Sequence, residues 1–433
     1  MKKDLINRAI KVLESNRQEA GFTIPAQGLY PFQWKWDSGF IALGYAHYDM
    51  EKAIKELDVL LDAQWDNGFI PHIVFHNDSD TYFPGPEFHQ SQLHPKASKK
   101  YRSTGMVQPP VLGFVLERMY DVAEDKSTIL SHLDNLIDKV YDNHVYFYEN
   151  RDIHNEGLVY IYHNWESGTD NSPMWDDIWP TMDSPDYEFE RRDTTHVDPS
   201  QRPTKREYDH YLHIIEIAKK YRYDDAKIAE HSPFLVQDPL FNAMLLRSNE
   251  ALIRLYGLLN RDVDKTAYLR SKHSLGVESM NTKLFDEGSG AYLHFDLRSN
   301  QLLPYISSSS FAPLFAGIPT KKIAEKLADA LVNKFGDKSK LLCASFDPTH
   351  EKFNPKKYWR GPIWINMNWI LYQGLKRYKF EELAQRVKSD SIELVANHGF
   401  YEYFDCRKDN PNAYGGNNFS WTAALLIDFL HSD

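Results

Sequence analysis

Phe419-Ser-Trp-Thr-Ala-Ala-Leu-Leu-Ile-Asp-Phe-Leu430 stands almost at the end of the chain and holds a single charged residue, Asp428. At helical spacing such a stretch has almost no polar face, so it reads as a helix buried on several sides. An open stack of helical repeats ends in units with a polar outer face. This end has none, which favours a ring in which the helices close on themselves. Val111 to Met119, Ala243 to Leu259 and Trp364 to Leu375 have the same uniformly apolar character. Between them run amphipathic stripes with spacings of three and four: Leu5, Ile6, Ala9, Ile10, Leu13; Ala53, Ile54, Leu57, Leu60, Leu61; and Ile129, Leu130, Leu133, Ile137, Val140. These predict half-exposed outer helices. Pro109 and Pro362 sit where a helix's first turn tolerates proline, and Gly39 and Gly361 beside helix entrances.

About a dozen helices, alternately buried and half-exposed, predict an all-α toroid with its loops gathered over one end of a central cavity. Leu284, Phe285, Asp286, Gly290 and Tyr292 echo Gly399, Phe400, Tyr401, Glu402 and Tyr403 as helix-to-turn segments. Long helix-free stretches, around Phe69 to Tyr101 and Glu149 to Asp198, are rich in Gly, Pro, Asp, Asn and aromatics, and loops of that length in a compact domain usually carry function. No linker-like composition divides residues 1–433, so a single domain is expected.

The 42% apolar and 26% charged residues exclude a disordered or collagen-like chain. A net charge of -11 repels nucleic acid and anionic lipid, so neither is an expected partner. Two cysteines, Cys343 and Cys406, are too few for a disulfide framework and too far apart for a metal or redox motif. The first residues are interrupted by Asp4 and Glu14, and no apolar run approaches membrane-spanning length. A soluble, cytoplasmic protein is expected, with oligomeric state open.

Aromatic residues make up 14% of the chain, and core packing accounts for most of them. Five segments set them beside carboxylates or amides: Gly28-Leu-Tyr-Pro-Phe-Gln-Trp-Lys-Trp-Asp-Ser-Gly39, Gln64-Trp-Asp-Asn-Gly-Phe-Ile-Pro-His72, Asn164-Trp-Glu-Ser-Gly-Thr-Asp-Asn-Ser-Pro-Met-Trp-Asp176, Tyr358-Trp-Arg-Gly-Pro-Ile-Trp364 and Gly399-Phe-Tyr-Glu-Tyr-Phe-Asp405. Each pairs a flat face, suited to a sugar ring, with groups that bridge sugar hydroxyls. Core packing would not multiply carboxylates in this way, because a buried carboxylate needs a partner.

Glu166-Ser-Gly-Thr-Asp-Asn-Ser-Pro-Met-Trp-Asp176, Trp359-Arg-Gly-Pro-Ile-Trp364, Tyr401-Glu-Tyr-Phe-Asp405 and Asn418-Phe-Ser-Trp-Thr422 together resemble glycoside hydrolase family sixty-three and, more distantly, trehalases. The resemblance runs from about Tyr30 to Trp421. It implies an (α/α)6 barrel and an inverting hydrolysis with Asp170 as general acid and Glu402 as general base. It also implies Trp34, Trp36 and Asp37 as sugar-binding residues and Trp359 and Arg360 as the wall of the sugar pocket. The chain lacks the extra β-rich domain of the family's oligosaccharide-trimming members and is more similar to the small members that hydrolyse glucosylglycerate or mannosylglycerate. That likeness implies Tyr30, Tyr82, Gln108, Arg202, Tyr208 and Tyr358 as ligands of the glycerate. Thr169 stands where trehalases place Trp, which argues against a trehalose-shaped pocket.

Inverting chemistry asks for a protonated carboxyl and an ionised one on opposite faces of the sugar, and two distant loops of one barrel mouth can supply them. Trp165, Trp175 and Trp179 are candidates for the burial that would raise the pKa of Asp170. Residue by residue, other readings remain: a turn-forming role for Asp170, a solvated charge for Glu402, a helix cap for Asp37, an ion pair with Asp193 or Asp198 for Arg202, and Glu166 as the rival acid. His72 and His76 have metal-like spacing without a third ligand and are taken as loop polar groups; no metal or cofactor is expected. An α-glucosidase on a neutral sugar, a sugar isomerase and a non-catalytic sugar-binding protein are the competing functions. Only a hydrolase needs both Asp170 and Glu402.

Overall fold

The computed structural model describes residues 2–195 and 197–432. Six inner elements surround the axis: the helices Lys35–Ala46, Leu112–Val122 and Pro239–Leu259, the 3-10 segment Ser308–Leu314, and the helices Ile365–Arg377 and Ser420–His431. Each packs on the next, and the last returns to pack on the first, closing the ring. Six outer helices, Lys2–Asn16, Met50–Leu61, Lys126–Asn150, Val263–Ser279, Lys321–Ala330 and Glu381–His398, surround it. The fold is an (α/α)6 barrel. Among the described residues no helix is long and apolar enough to cross a membrane.

The apolar runs become the inner elements because both of their faces are covered. Every residue of Lys35–Ala46 is buried, and so is every residue from Ser420 to Phe429. At the closing seam a side chain on Gly44 would place its Cβ 2.6 Å from Ala424, so the two helices touch backbone to backbone. Beneath that seam lies the one charge in the C-terminal run. Asp428 accepts hydrogen bonds from Trp369 Nε1 (2.8 Å) and Arg118 Nε (3.1 Å) and pairs with His47 Nε2 at 2.8 Å, joining four inner helices. Burial alone would raise its pKa, but the His47 bond and the Arg118 charge hold it down to about 2.

Two local expectations shift. Helices begin at Leu112 and Ile365, three residues after Pro109 and Pro362. The second entry stays extended because Ile363 bridges both Ala344 and Phe404. The segments that echo one another are both short antiparallel pairs that follow an outer helix, Phe285–Asp286 with Ala291–Tyr292 and Tyr403–Phe404 with Ala413–Tyr414. Among the described residues the stretch at 69–101 contains only the strand Ile73–Phe75, the four-residue helix Pro86–His89 and a 3-10 turn, and beyond Asn150, where an outer helix ends, the stretch to 198 contains only short 3-10 segments.

Candidate active site

The loops that enter the inner helices gather over one end of the ring and enclose a cavity of about 790 Å³, mouth included. Asp37, Asp170, Asp193 and Glu402 all reach its wall, with Arg202 as its cation and Trp34, Trp36, Trp165, Trp359, Trp364 and Trp421 as its flat faces.

Asp170 hangs on a loop that ties itself down. Asn164 Nδ2 donates to the Asp170 carbonyl (2.7 Å), and Trp175 Nε1 to the Thr169 carbonyl (3.1 Å). Glu166 anchors the same loop from below. It is fully buried, takes two 2.9 Å bonds from Arg151 and accepts the backbone amides of Val107 (3.0 Å) and Tyr162 (2.8 Å). It does not line the cavity. The Asp170 carboxyl does, and the one side-chain donor to it among the described residues is the Tyr358 hydroxyl, 3.4 Å from Oδ2. Burial pushes its pKa to about 7, against the pull of the Arg202 cation and with help from the negative Glu402. Of the three tryptophans that flank Asp170 in sequence, Trp165 lines the cavity; Trp175 packs on Phe234 and His294, and Trp179 on His210 and Tyr211.

Glu402 sits just before the Tyr403–Phe404 strand and is 1% exposed. Tyr30 donates to Oε1 (2.7 Å) and the Gly416 amide to Oε2 (2.9 Å). Burial raises its pKa too, with Arg202 and those two donors opposing. The Tyr30 and Tyr358 hydroxyls lie 3.4 Å apart, so they connect the two carboxylates. Steps of 2.7, 3.4 and 3.4 Å bound the distance from Glu402 Oε1 to Asp170 Oδ2 at about 9.5 Å.

Arg202, 4% exposed, is held from three sides. Its Nε donates to Asp193 (3.1 Å), which Arg191 grips with bonds of 2.7 and 2.6 Å; its Nη2 donates to Tyr30 (2.9 Å); and its guanidinium covers the Tyr358 ring at 4.2 Å. Nη1 lies 3.6 Å from Glu402 Oε1, buried and without a hydrogen-bond partner among the described residues. The Asp193 ion pair and the cavity position therefore coexist. Tyr82 and Tyr208 line the same wall, with Arg191 over the Tyr208 ring at 4.1 Å.

On the other side, Gln108 Oε1 accepts the Trp36 backbone amide (3.1 Å). Trp36 meets Trp421 edge to face at 5.3 Å, and Trp359 stacks flat on Trp364 at 3.8 Å. Trp34 stands between Tyr30 and Tyr82, 5.3 Å from each ring. Asp37 is not a cap, since Trp34 occupies that position without a side-chain bond. Its carboxyl is buried at the cavity wall and pushed well above the ordinary range, by burial first and then by Glu402 and Asp170. Arg360 is not brought to the cavity: it forms a two-bond fork with Asp176 (2.8 and 2.6 Å), behind Trp359 in the chain.

Two residues beside the carboxylates were passed over by sequence, one set aside as a loop polar group and one not picked out at all. His72 is one: 5% exposed, its Nδ1 lacks a partner among the described residues, and burial with the nearby His89, His163 and Lys35 holds its pKa well below the usual value. His76 is elsewhere, bonded to Gln33 and stacked on Phe22, and among the described residues no cluster of three His, Cys, Asp or Glu is placed to hold a metal. Gly415 is another: its φ is +73°, and a Cβ there would lie 2.3 Å from Glu402 Oε2. The Gly-Gly pair at 415 and 416, a short hairpin away from Glu402, was the available signal.

A closed helical ring with carboxylates and indole faces at one mouth defines a glycoside hydrolase, and the comparisons agree. Residues 30–422 match the family model described as the mannosylglycerate hydrolase MGH1-like glycoside hydrolase domain, and the chain belongs to that family. It is 41% identical to mannosylglycerate hydrolase MGH1 of Selaginella moellendorffii, over 99% of this chain and 86% of that protein. It is 32% identical to the glucosylglycerate hydrolase of Mycolicibacterium hassiacum, over 98% and 97%. The crystal structure of the GH63 mannosylglycerate hydrolase from Thermus thermophilus in complex with Tris and D-glycerate superposes with a TM-score of 0.91 at 39% identity, covering 99% of this chain and 100% of that one.

Proposed function

We propose that residues 1–433 form one catalytic unit that hydrolyses a small α-glycosylglycerate, mannosylglycerate or glucosylglycerate, with inversion at the anomeric carbon. The observation that carries the reading is the buried Arg202, which lines a cavity that also holds Asp170 and Glu402 and whose Nη1, 3.6 Å from Glu402 Oε1, makes no hydrogen bond among the described residues. A guanidinium with an unsatisfied N–H suits a small carboxylate. Relatives named for hydrolysis of mannosylglycerate and glucosylglycerate support it.

In this reading Arg202, Tyr30, Tyr82, Gln108, Tyr208 and Tyr358 hold the glycerate, while Trp34, Trp36, Asp37 and Trp359 hold the sugar. Asp170 donates its proton to the leaving glycerate oxygen. A pKa of about 7 leaves it protonated in a large fraction of molecules at neutral pH. Glu402, whose ionised form Tyr30, Gly416 and Arg202 favour against its burial, takes a proton from the water that attacks the opposite face of the ring. The upper bound of about 9.5 Å is compatible with the roughly 6.5 to 9.5 Å that leaves room for such a water.

The test is to incubate the protein with α-mannosylglycerate, α-glucosylglycerate, trehalose and short α-glucosides and to follow the first anomer released by proton NMR. Turnover of a glycosylglycerate to the inverted anomer is expected. Retention would overturn the mechanism, and preference for a neutral disaccharide the substrate. Binding without turnover of any sugar would favour a binding protein.

A further inference from the structure

Arg202 touches the machinery of both carboxylates from one side. It lies 3.6 Å from Glu402 Oε1, and its guanidinium covers, at 4.2 Å, the ring of Tyr358, whose hydroxyl is the donor to Asp170. We propose that the substrate's carboxylate, by pairing with Arg202, cancels the guanidinium's charge at the two catalytic carboxylates and thereby loads Asp170 with the proton it must donate. The substrate's anion is then a switch as well as a handle. This rests on the assignments of Asp170 as acid and Arg202 as anion ligand.

Arg202 is the main influence opposing burial at both groups. Pairing it with an anion removes that opposition, and both carboxylates then hold protons more tightly. The two do not respond alike. Glu402 keeps two short donors, Tyr30 and the Gly416 amide, that stabilise its ionised form, whereas Asp170 has only the 3.4 Å Tyr358 bond. The proton, taken from solvent, therefore goes to the Asp170 carboxylate and converts it to the neutral carboxyl.

Other groups face the pair. Asp170 faces Glu402, Asp37, Tyr82, Tyr208, Tyr211 and Tyr358; Glu402 faces Asp37, Tyr30, Tyr358 and Tyr403. Burial pushes all of these tyrosines upward, so they keep their protons near neutrality. Asp193, the other carboxylate on Arg202, is held below its usual value despite its burial by Arg191 and Arg202. Glu402 and Asp37 are the rivals for the proton, and the experiment separates them from Asp170.

The consequence is selectivity that depends on pH. A neutral aglycon leaves Arg202 uncancelled, so above pH 7 its turnover falls about tenfold per unit, while the anionic substrate keeps its acid protonated to higher pH. With a glycosylglycerate the alkaline limb of kcat is expected about one unit above that of kcat/KM. With the matching glycosylglyceramide the two limbs coincide. Coincident limbs for the anionic substrate overturn the proposal.

A direct measurement needs no catalysis. D-glycerate is titrated calorimetrically into the wild-type protein at pH 7.5 in two buffers of different ionisation enthalpy. Uptake of a sizeable fraction of a proton per bound glycerate is expected, and its loss in Asp170→Asn. Binding without uptake overturns the switch and leaves the anion site standing. Uptake that survives Asp170→Asn assigns the proton to another carboxylate of the cavity, Glu402 or Asp37, and also overturns it. Absence of glycerate binding removes the glycerate reading and the switch together.

Discussion

Gly415→Ala tests the placement of Glu402 without touching a group that takes part in the chemistry. The new Cβ would lie 2.3 Å from Oε2 and 2.6 Å from the Tyr403 ring, and Cβ atoms do not stand closer than 3.0 Å to such neighbours. Oε2 must retreat by at least the difference, about 0.7 Å, and the 2.9 Å bond from the Gly416 amide lengthens with it. A displacement of roughly 1 Å at a reacting group costs on the order of 10²-fold in rate. The residue also pays for a left-handed backbone, φ +73°, at about 1 to 2 kcal/mol. Gly290→Ala is the control: φ is +68°, but the nearest atoms to its Cβ, on Lys326 of the outer helix Lys321–Ala330, are 3.6 Å away, so it bears the backbone strain without a collision. Steady-state hydrolysis of the preferred glycosylglycerate, with thermal melting alongside, is the assay. Both variants should melt a degree or two lower, while only Gly415→Ala should lose about 10²-fold in kcat. Gly415→Ala turning over within threefold of the wild type would refute the catalytic placement of Glu402. A matching loss in Gly290→Ala would show that strain alone explains the effect.

Asp170→Asn and Glu402→Gln should each lower kcat by ~10² to 10⁴-fold while calorimetry still detects sugar binding; near wild-type turnover in either removes its assignment. A folded pKa of about 7 for Asp170, against an unfolded value near 3.9, means that folding takes up a proton between those limits and that stability falls as pH rises through them. Asp170→Asn should therefore gain in melting temperature relative to the wild type between pH 4 and pH 8, and a difference that is flat with pH refutes that environment. Asp428 has the opposite sign: its folded pKa of about 2 lies below the unfolded one, so its contribution is present above pH 4 and lost as pH falls toward 2. Asp428→Asn should cost about 2 kcal/mol at pH 7, with the gap from wild type closing at low pH; a gap that persists at pH 2 would mean that packing, not charge, is what Asp428 supplies.

The apolar run at Phe419 to Leu430 and the stripes at Leu5, Ala53 and Ile129 were enough to foretell a closed ring, because a helix without a polar face has to be covered whatever its neighbours are. The aromatic and acidic segments likewise announced a sugar site, since carboxylates beside indoles at loop positions have little to offer a core. Roles within the site were less legible. Glu166 and Asp170 stand four residues apart in one motif, yet only the fold shows that Arg151 and two backbone amides consume Glu166 while Asp170 faces the cavity with one long bond. Trp359 and Arg360 are neighbours, and the turn sends one to the cavity and the other to Asp176. His72 offered only its spacing from His76, and Gly415 only the glycine beside it. Periodicity and composition are local properties of a chain, so sequence alone determined the helices and the kind of chemistry. Burial, the sharing of Arg202 between Asp193, Tyr30 and Glu402, and the resulting rise of the Asp170 pKa depend on groups up to hundreds of residues apart, and only the closing of the ring decides them.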